Sequence, residues 1–262
     1  MNDHISYPDD LVVRVQTIWG EGFLSPGGPE EVREIVHGIN LADKTILDIG
    51  CGTGGPTIVL AGETGATAVI GIDVQSKLLQ LAWEYARDAG VVEKVEFRLV
   101  DPGPLPFADN SIDVVFSKDA LAHFADKTAI YREILRVLRP GGIFLASDWL
   151  GGENTATSPE WARFIELSKH VMTMKTAAEA EATMVAVGFM NVSTKDRNSW
   201  FAELSSEELA KIEGPLRQQL IAAVGEEIYL TWVEVRRANL ASAIVGALRP
   251  THLRGYKPPQ KR

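Results

Sequence analysis

The stretch that decides the fold runs from Leu47 to Gly55 and reads LDIGCGTGG. The apolar run Thr45 to Ile49 leads into it and stops at glycine, the pattern of a buried strand followed by a tight turn. Gly50, Gly52 and Gly55 match the spacing G-x-G-x-x-G. Glycine is required where a chain turns sharply and a ligand approaches the backbone closely. Asp48, just ahead of the first glycine, restricts that ligand. A pyrophosphate favours a helix N-terminus, and a carboxylate beside it repels it. A ligand with cationic groups gains from the same carboxylate, while loop N–H groups hold its anionic end.

Working outward, four more short apolar runs read as strands: Ala68 to Asp73, Val95 to Val100, Ile112 to Ser117 and Gly142 to Ser147. Helical stretches separate them. Ser76 is placed to cap one, with Leu78, Leu81, Ala82 and Tyr85 on one face. Asp126 is placed to cap another, with Ile130, Ile134, Val137 and Leu138 as its stripe, and RPGG at 139–142 stops it. Alternation of strands and helices implies a parallel sheet covered on both faces, with ligands at the carboxyl ends of the strands. After Leu150 the pattern weakens. Pro159 suits a first helical turn, Ala177 to Val187 reads as helix and Asn191 to Lys195 as strand. Ser206 to Val224 and Glu226 to Leu248 read as helices broken near Gly225, and Thr251 to Tyr256 as a last strand. In the first 44 residues, EEVREIVHGI is helix-like, and GFLSPGG before it is a loop able to fold over the rim as a lid.

The chain has 262 residues and a formal net charge of −9. That charge opposes phosphate-backbone binding, so no nucleic-acid partner is expected. No apolar run reaches membrane-spanning length and no signal peptide is visible, so the expectation is a cytoplasmic protein without a membrane partner. The single cysteine, Cys51, excludes an intrachain disulfide and a multi-cysteine metal site. His4, His37, His170 and His252 are scattered without ligand spacing, and no metal is expected.

Asp73 ends the second strand, where a carboxylate accepts both ribose hydroxyls, a role that NAD and S-adenosylmethionine share. Asp101 follows the third, where an acidic side chain can accept from an adenine amino group. ILDIGCGTGG, GIDVQ, the run FRLVDPGPLPFADNSIDVVFSKDALAHF and LRPGGIFLASDW stand in order at ordinary spacing. Together they resemble the class I S-adenosylmethionine-dependent methyltransferases over residues 45–150. The resemblance implies a Rossmann-like α/β sheet, mostly parallel with helices on both faces. It is divided into a lid over 1–44, a cofactor-binding core over 45–150 and a mainly helical substrate-side elaboration over 151–262 that completes the sheet. The implied cofactor is S-adenosyl-L-methionine and the implied partner a small-molecule acceptor.

IWGEGFLSPGG at 18–28, Tyr7 before it and SKDALAHFADK at 117–127 resemble the phosphoethanolamine N-methyltransferases more closely. That resemblance implies a latch of Tyr7 and His123 over the substrate amine, with Tyr7 supplied by an N-terminal helix and Asp119 touching the amine. It implies cofactor contacts from Ser25, Gly50, Asp73, Asp101 and Lys118, with Lys118 where an arginine is usual; Asp48, Gly52 and Val74 complete the cofactor set. Where the family holds phosphate with tyrosines, an arginine and a lysine, this chain has Trp149, Glu166, His170, Met172 and Val235, and Trp149, His170 and Met172 are the substrate-side candidates. A phosphate wants charge-assisted donors, which Glu166 and Val235 do not supply.

The chemistry expected is methyl transfer to an amine nitrogen. An ammonium has no lone pair, so a base must take its proton, and an imidazole with an ordinary pKa of about 6.5 suits that role at His123. The alternatives are O- or C-methylation of a natural product, and a cofactor-binding protein without transfer activity. Residues 1–28 are expected to act as a lid separable from the core.

Overall fold

Strand β1 (Thr45–Ile49) is buried over four of its five residues, and it is an interior strand of a seven-stranded sheet. The computed structural model describes residues 7–169 and 172–260. Ahead of β1 stand helices α1 (Asp9–Trp19) and α2 (Gly28–Val36). After it come α3 (Gly55–Glu63), β2 (Ala68–Asp73), α4 (Ser76–Asp88), β3 (Val95–Leu99), β4 (Ile112–Lys118), α5 (Lys127–Val137) and β5 (Leu138–Gly151). The remainder is α6 (Pro159–Ser168), α7 (Ala177–Val187), β6 (Met190–Asp196), α8 (Asn198–Glu213), α9 (Arg217–Val224), α10 (Glu226–Ile244) and β7 (Leu248–Tyr256).

The strand order is β3-β2-β1-β4-β5-β7-β6. β1 pairs in parallel with β2 and β4, β2 with β3, and β4 with β5. β7 runs antiparallel to both β5 and β6. The strand order reverses between β1 and β4, and ligands of open α/β sheets sit at such a point. The loop after β1 and the turn after β4 both open there.

Ile46, Leu47 and Ile49 are buried on the two faces of β1. Each such side chain contributes about 1.5–3 kcal/mol by leaving water, which keeps this strand inside the sheet. On one face Ile46 joins Val32, Ile35, Leu60, Leu79 and Ala82 from α2, α3 and α4. On the other, Leu47 and Ile49 join Ile130, Ile134 and Met184 from α5 and α7.

Several elements depart from the sequence expectation, each for a local reason. Ser76 opens α4 as its first residue; Gln75 is the N-cap, because the Asp73 carboxylate already takes the Gln75 N–H at 2.9 Å. The stretch expected as one helix from Ser206 to Val224 is two, separated at Gly214–Pro215, where proline has no N–H to continue the helix. α10 ends at Ile244 because Gly246, at φ 73°, reverses the chain, and Leu248 opens β7. β5 extends on both sides of the expected run to Leu138–Gly151: Leu138 pairs with Ile112 of β4, and β7 pairs with β5 from Ile143 to Gly151. Among the described residues, no helix is long and apolar enough to cross a membrane.

Candidate active site

The glycine loop is clasped from two sides. Gly50 and Gly52 have left-handed backbone, at φ 72° and 54°, and the Gly50 and Cys51 N–H groups donate to Ile72 O at 2.9 and 3.0 Å. A Cβ at Gly50 would stand 2.3 Å from Ala120 Cβ, in the turn after β4, and one at Gly52 2.9 Å from Leu24 Cδ1. Gly55 N–H donates to Gly22 O at 2.9 Å, and Gln16 Nε2 donates to Thr53 Oγ1 at 3.2 Å. The segment expected to fold over the rim therefore lies directly on the loop. It also packs on the core: Phe23 is in the same cluster as Ile46 and Val32, and Val12 and Val15 are buried.

Three carboxylates line this half. Asp48 is buried beneath the loop, and Thr57 Oγ1 donates to its Oδ2 at 2.6 Å. Among the described residues its Oδ1 has no hydrogen-bond partner, and burial pushes its carboxyl up to about 7. Asp73 accepts from Gly52 N–H at 3.0 Å and Gln75 N–H at 2.9 Å; burial raises its pKa and these backbone donors oppose the rise. Each of its oxygens keeps acceptor capacity beyond those bonds. Val74 beside it and Asp101 after β3 are exposed on the same rim. An orphaned buried carboxylate oxygen favours a cationic ligand, a glycine cradle admits it to the backbone, and a strand-end carboxylate suits a diol. The residues present thus fit S-adenosylmethionine.

The acceptor half is built from β4 and β5. Asp119 follows β4 with left-handed backbone, φ 57°, an uncommon state that carries strain in a residue with a side chain. It is held by its own N–H on Ser147 O at 2.7 Å, by Ser147 Oγ on its Oδ1 at 2.9 Å and by Lys118 Nζ on its Oδ2 at 2.7 Å. Lys118 Nζ also donates to Ser25 Oγ at 2.7 Å and Pro26 O at 2.8 Å. Four residues beyond Asp119, His123 closes a short 3-10 turn, Leu121–His123. Asp148 accepts from Ala122 N–H at 2.8 Å, Lys127 Nζ donates to Leu121 O, and Lys127 and Asp148 pair at 3.5 Å. Burial pushes Asp148 up to about 6, opposed by Lys127.

Tyr7 reaches the rim from outside helix α1. Its N–H donates to Gln75 Oε1 at 3.1 Å. Burial, with Asp73 and Asp119 nearby, pushes its phenol up to about 12. The expectation of a tyrosine within the N-terminal helix is corrected here: Pro8 is the N-cap of α1, and a residue before proline is disfavoured in helical backbone. Trp149, at the end of β5, stacks on Phe164 at 6.3 Å and meets Phe201 edge-on at 5.5 Å. Met172 borders the His123 turn through Thr173, whose N–H donates to Ala122 O at 2.9 Å. His170 lies outside the described residues. Among the described residues no three His, Cys, Asp or Glu side chains gather as a metal site.

Residues 40–210 match the family described as a methyltransferase domain. The chain belongs to that family. The chain is 31% identical over 229 residues to phosphoethanolamine N-methyltransferase 1 of Arabidopsis thaliana, covering 87% of this chain and 45% of that protein. It is 29% identical over 205 residues to the phosphoethanolamine N-methyltransferase of Plasmodium falciparum, covering 77% and 75%. The solved structure of Haemonchus contortus phosphoethanolamine N-methyltransferase 2, in complex with S-adenosyl-L-methionine, superposes with a TM-score of 0.87. It has 26% identity and covers 98% of this chain and 59% of that one. The chain spans about half the length of the plant relatives that it matches. Its sheet is the class I methyltransferase sheet, as the sequence implied.

Sequence reasoning missed several residues of this site. Asp148 and Lys127 clamp the His123 turn, yet Lys127 only follows the expected cap Asp126 and Asp148 lies just past the expected strand. Gln75 holds Tyr7 through a side-chain oxygen, a contact with no local signal. Asp148 alone carried a hint, as a carboxylate directly after an expected strand.

Proposed function

We propose that this chain transfers a methyl group from S-adenosylmethionine to the nitrogen of a small amine, phosphoethanolamine-like or another. The observation that carries this reading is the juxtaposition, across the reversal point of the sheet, of the Asp48–Asp73 cradle with Asp119 and the His123 turn. S-adenosylmethionine, when bound, supplies a methyl on an already activated sulfonium. The residues of the chain have three tasks: hold the acceptor in line, remove its proton and exclude water. Asp119, fixed by Lys118 and Ser147, presents a carboxylate to an ammonium at binding and to the cationic product. His123 takes the amine proton. Tyr7, above Asp73 and Asp119, closes the site.

The pocket beside Asp119 has an aromatic wall of Trp149, Trp200 and Phe201. Arg197 lies over the Trp200 ring at 4.4 Å but is bound to Glu31 through two bonds, at 3.1 and 2.6 Å. That wall favours an organic amine whose remote end is apolar, and it equally supports a second reading, O- or C-methylation of a natural product. We keep the cytoplasm as the setting, on the single buried thiol of Cys51, which a reducing compartment leaves intact.

The test is incubation with methyl-labelled cofactor and a panel of amines, phosphoamines and phenols, read by product mass. Label on nitrogen supports the reading. Label on oxygen or carbon alone selects the second. No labelled product from any acceptor, with the cofactor demonstrably bound, would favour a binding protein without transfer.

A further inference from the structure

We propose that Lys118 is a positioning residue that couples the lid to the acceptor carboxylate, so that seating the lid on the cofactor loop and fixing Asp119 are one event. This rests on the reading of the site as a methyltransferase centre.

An ammonium has three N–H donors. Those of Lys118 are matched by three protein acceptors, Ser25 Oγ, Pro26 O and Asp119 Oδ2, at 2.7, 2.8 and 2.7 Å. Its side chain is therefore directed to protein and not to the cofactor. Lys118 and Asp119 are both buried, with 1% and 7% of their side chains exposed. Two of the three acceptors belong to the lid. The same lid segment, a few residues earlier, places Gly22 O on Gly55 N–H and Leu24 against Gly52. One continuous stretch, 22–26, thus touches the cofactor loop at one end and Lys118 at the other.

Lifting that stretch would strip two acceptors from a buried ammonium. An unmatched buried donor is penalised strongly, and the strained backbone of Asp119 would lose the restraint on its anchor. Lys118 itself stays in place, since it is in register with Ser147 in the parallel β4–β5 ladder. The compact ammonium matters: three acceptors around one nitrogen suit lysine and do not suit the planar fork of a guanidinium.

Hydrogen exchange with and without S-adenosylhomocysteine tests the coupling, on the full chain. In the wild type S-adenosylhomocysteine should slow exchange in residues 20–28 and 118–124 together. In Lys118→Met it should still bind and still protect residues 50–55. Lid exchange, though, should stay at least roughly tenfold faster than in the bound wild type. Lys118→Arg keeps the charge but should not restore lid protection. If Lys118→Met does not fold, Ser25→Ala decides: it leaves the Lys118–Asp119 pair intact and should speed lid exchange several-fold with the loop still protected. Lid protection unchanged in Ser25→Ala, or in a folded Lys118→Met, overturns the coupling and leaves the methyltransferase reading standing. Failure of the wild type to bind S-adenosylhomocysteine removes both.

Discussion

The two halves of the active-site rim are built differently. The cofactor half is made of backbone and strand-end carboxylates: Gly50, Gly52 and Gly55 supply bare chain, and Asp48 and Asp73 stand within a few residues of a strand end. The acceptor half is made of side chains from remote parts of the chain. Lys118 reaches the lid, Asp148 and Lys127 fix the His123 turn, and Trp149 packs on residues from α6 and α8. A backbone site tolerates little substitution but is specified locally. A side-chain site can change its ligand while the sheet stays the same.

The largest expected effect sharpens that contrast on the acceptor side. His123→Asn should lower turnover by roughly 10²–10⁴, the range for losing a general base, with cofactor affinity close to wild type. The loss should shrink as pH rises toward the acceptor's own pKa, because solution then supplies free amine. A loss equally deep at every pH would assign His123 to positioning, and no loss would return it to packing. On the cofactor side, Asp73→Ala should weaken binding of S-adenosylhomocysteine by about 2–4 kcal/mol, two charge-assisted bonds less their overlap. Calorimetry on the folded variant checks it, and near-normal affinity would remove Asp73 from the site.

Gly50→Ala probes the clasp itself. A side chain in left-handed backbone costs about 1–2 kcal/mol, and the contact at 2.3 Å from Ala120 adds to it. We expect a loss of about 2–3 kcal/mol in stability together with weaker cofactor binding; an unchanged denaturation midpoint would mean that the turn after β4 yields freely. The smallest effect concerns Asp48. Its folded carboxyl is pushed up to about 7, against roughly 3.9 in an unfolded chain. Between those values the folded state holds a proton that the unfolded state releases, so stability falls as pH rises through the window. Asp48→Asn should recover about 1–3 kcal/mol at pH 8 relative to pH 4. Urea melts at the two pH values read this, and an identical slope in both proteins would contradict the assignment.

Much of the core was legible from the sequence. β1 and β2 start and end where their apolar runs do, and Asp126 caps α5 through Ala129 N–H at 2.9 Å. Pro159 opens α6, and α7 covers the expected residues. These features follow from short-range physics: alternation, capping and the backbone freedom of glycine act within a few residues. The sequence also put Asp48, Asp73, Asp101 and Asp119 at or just past the carboxyl ends of strands, and parallel strands end on one side. The break at Pro215 was readable in principle, but the apolar stripe on either side of it outweighed it.

The tertiary structure decided the rest. That the antiparallel β7 lies between β5 and β6 depends on edge pairing across more than a hundred residues, as in Ile143 with Tyr256. Contact of the lid with both the glycine loop and Lys118 joins Ser25 to a residue 93 positions away. Asp148 and Lys127 come to grip one turn only because β5 lies beside β4. Such partners are set by how layers pack and by which buried polar groups must find each other, and no local pattern of residues records that choice.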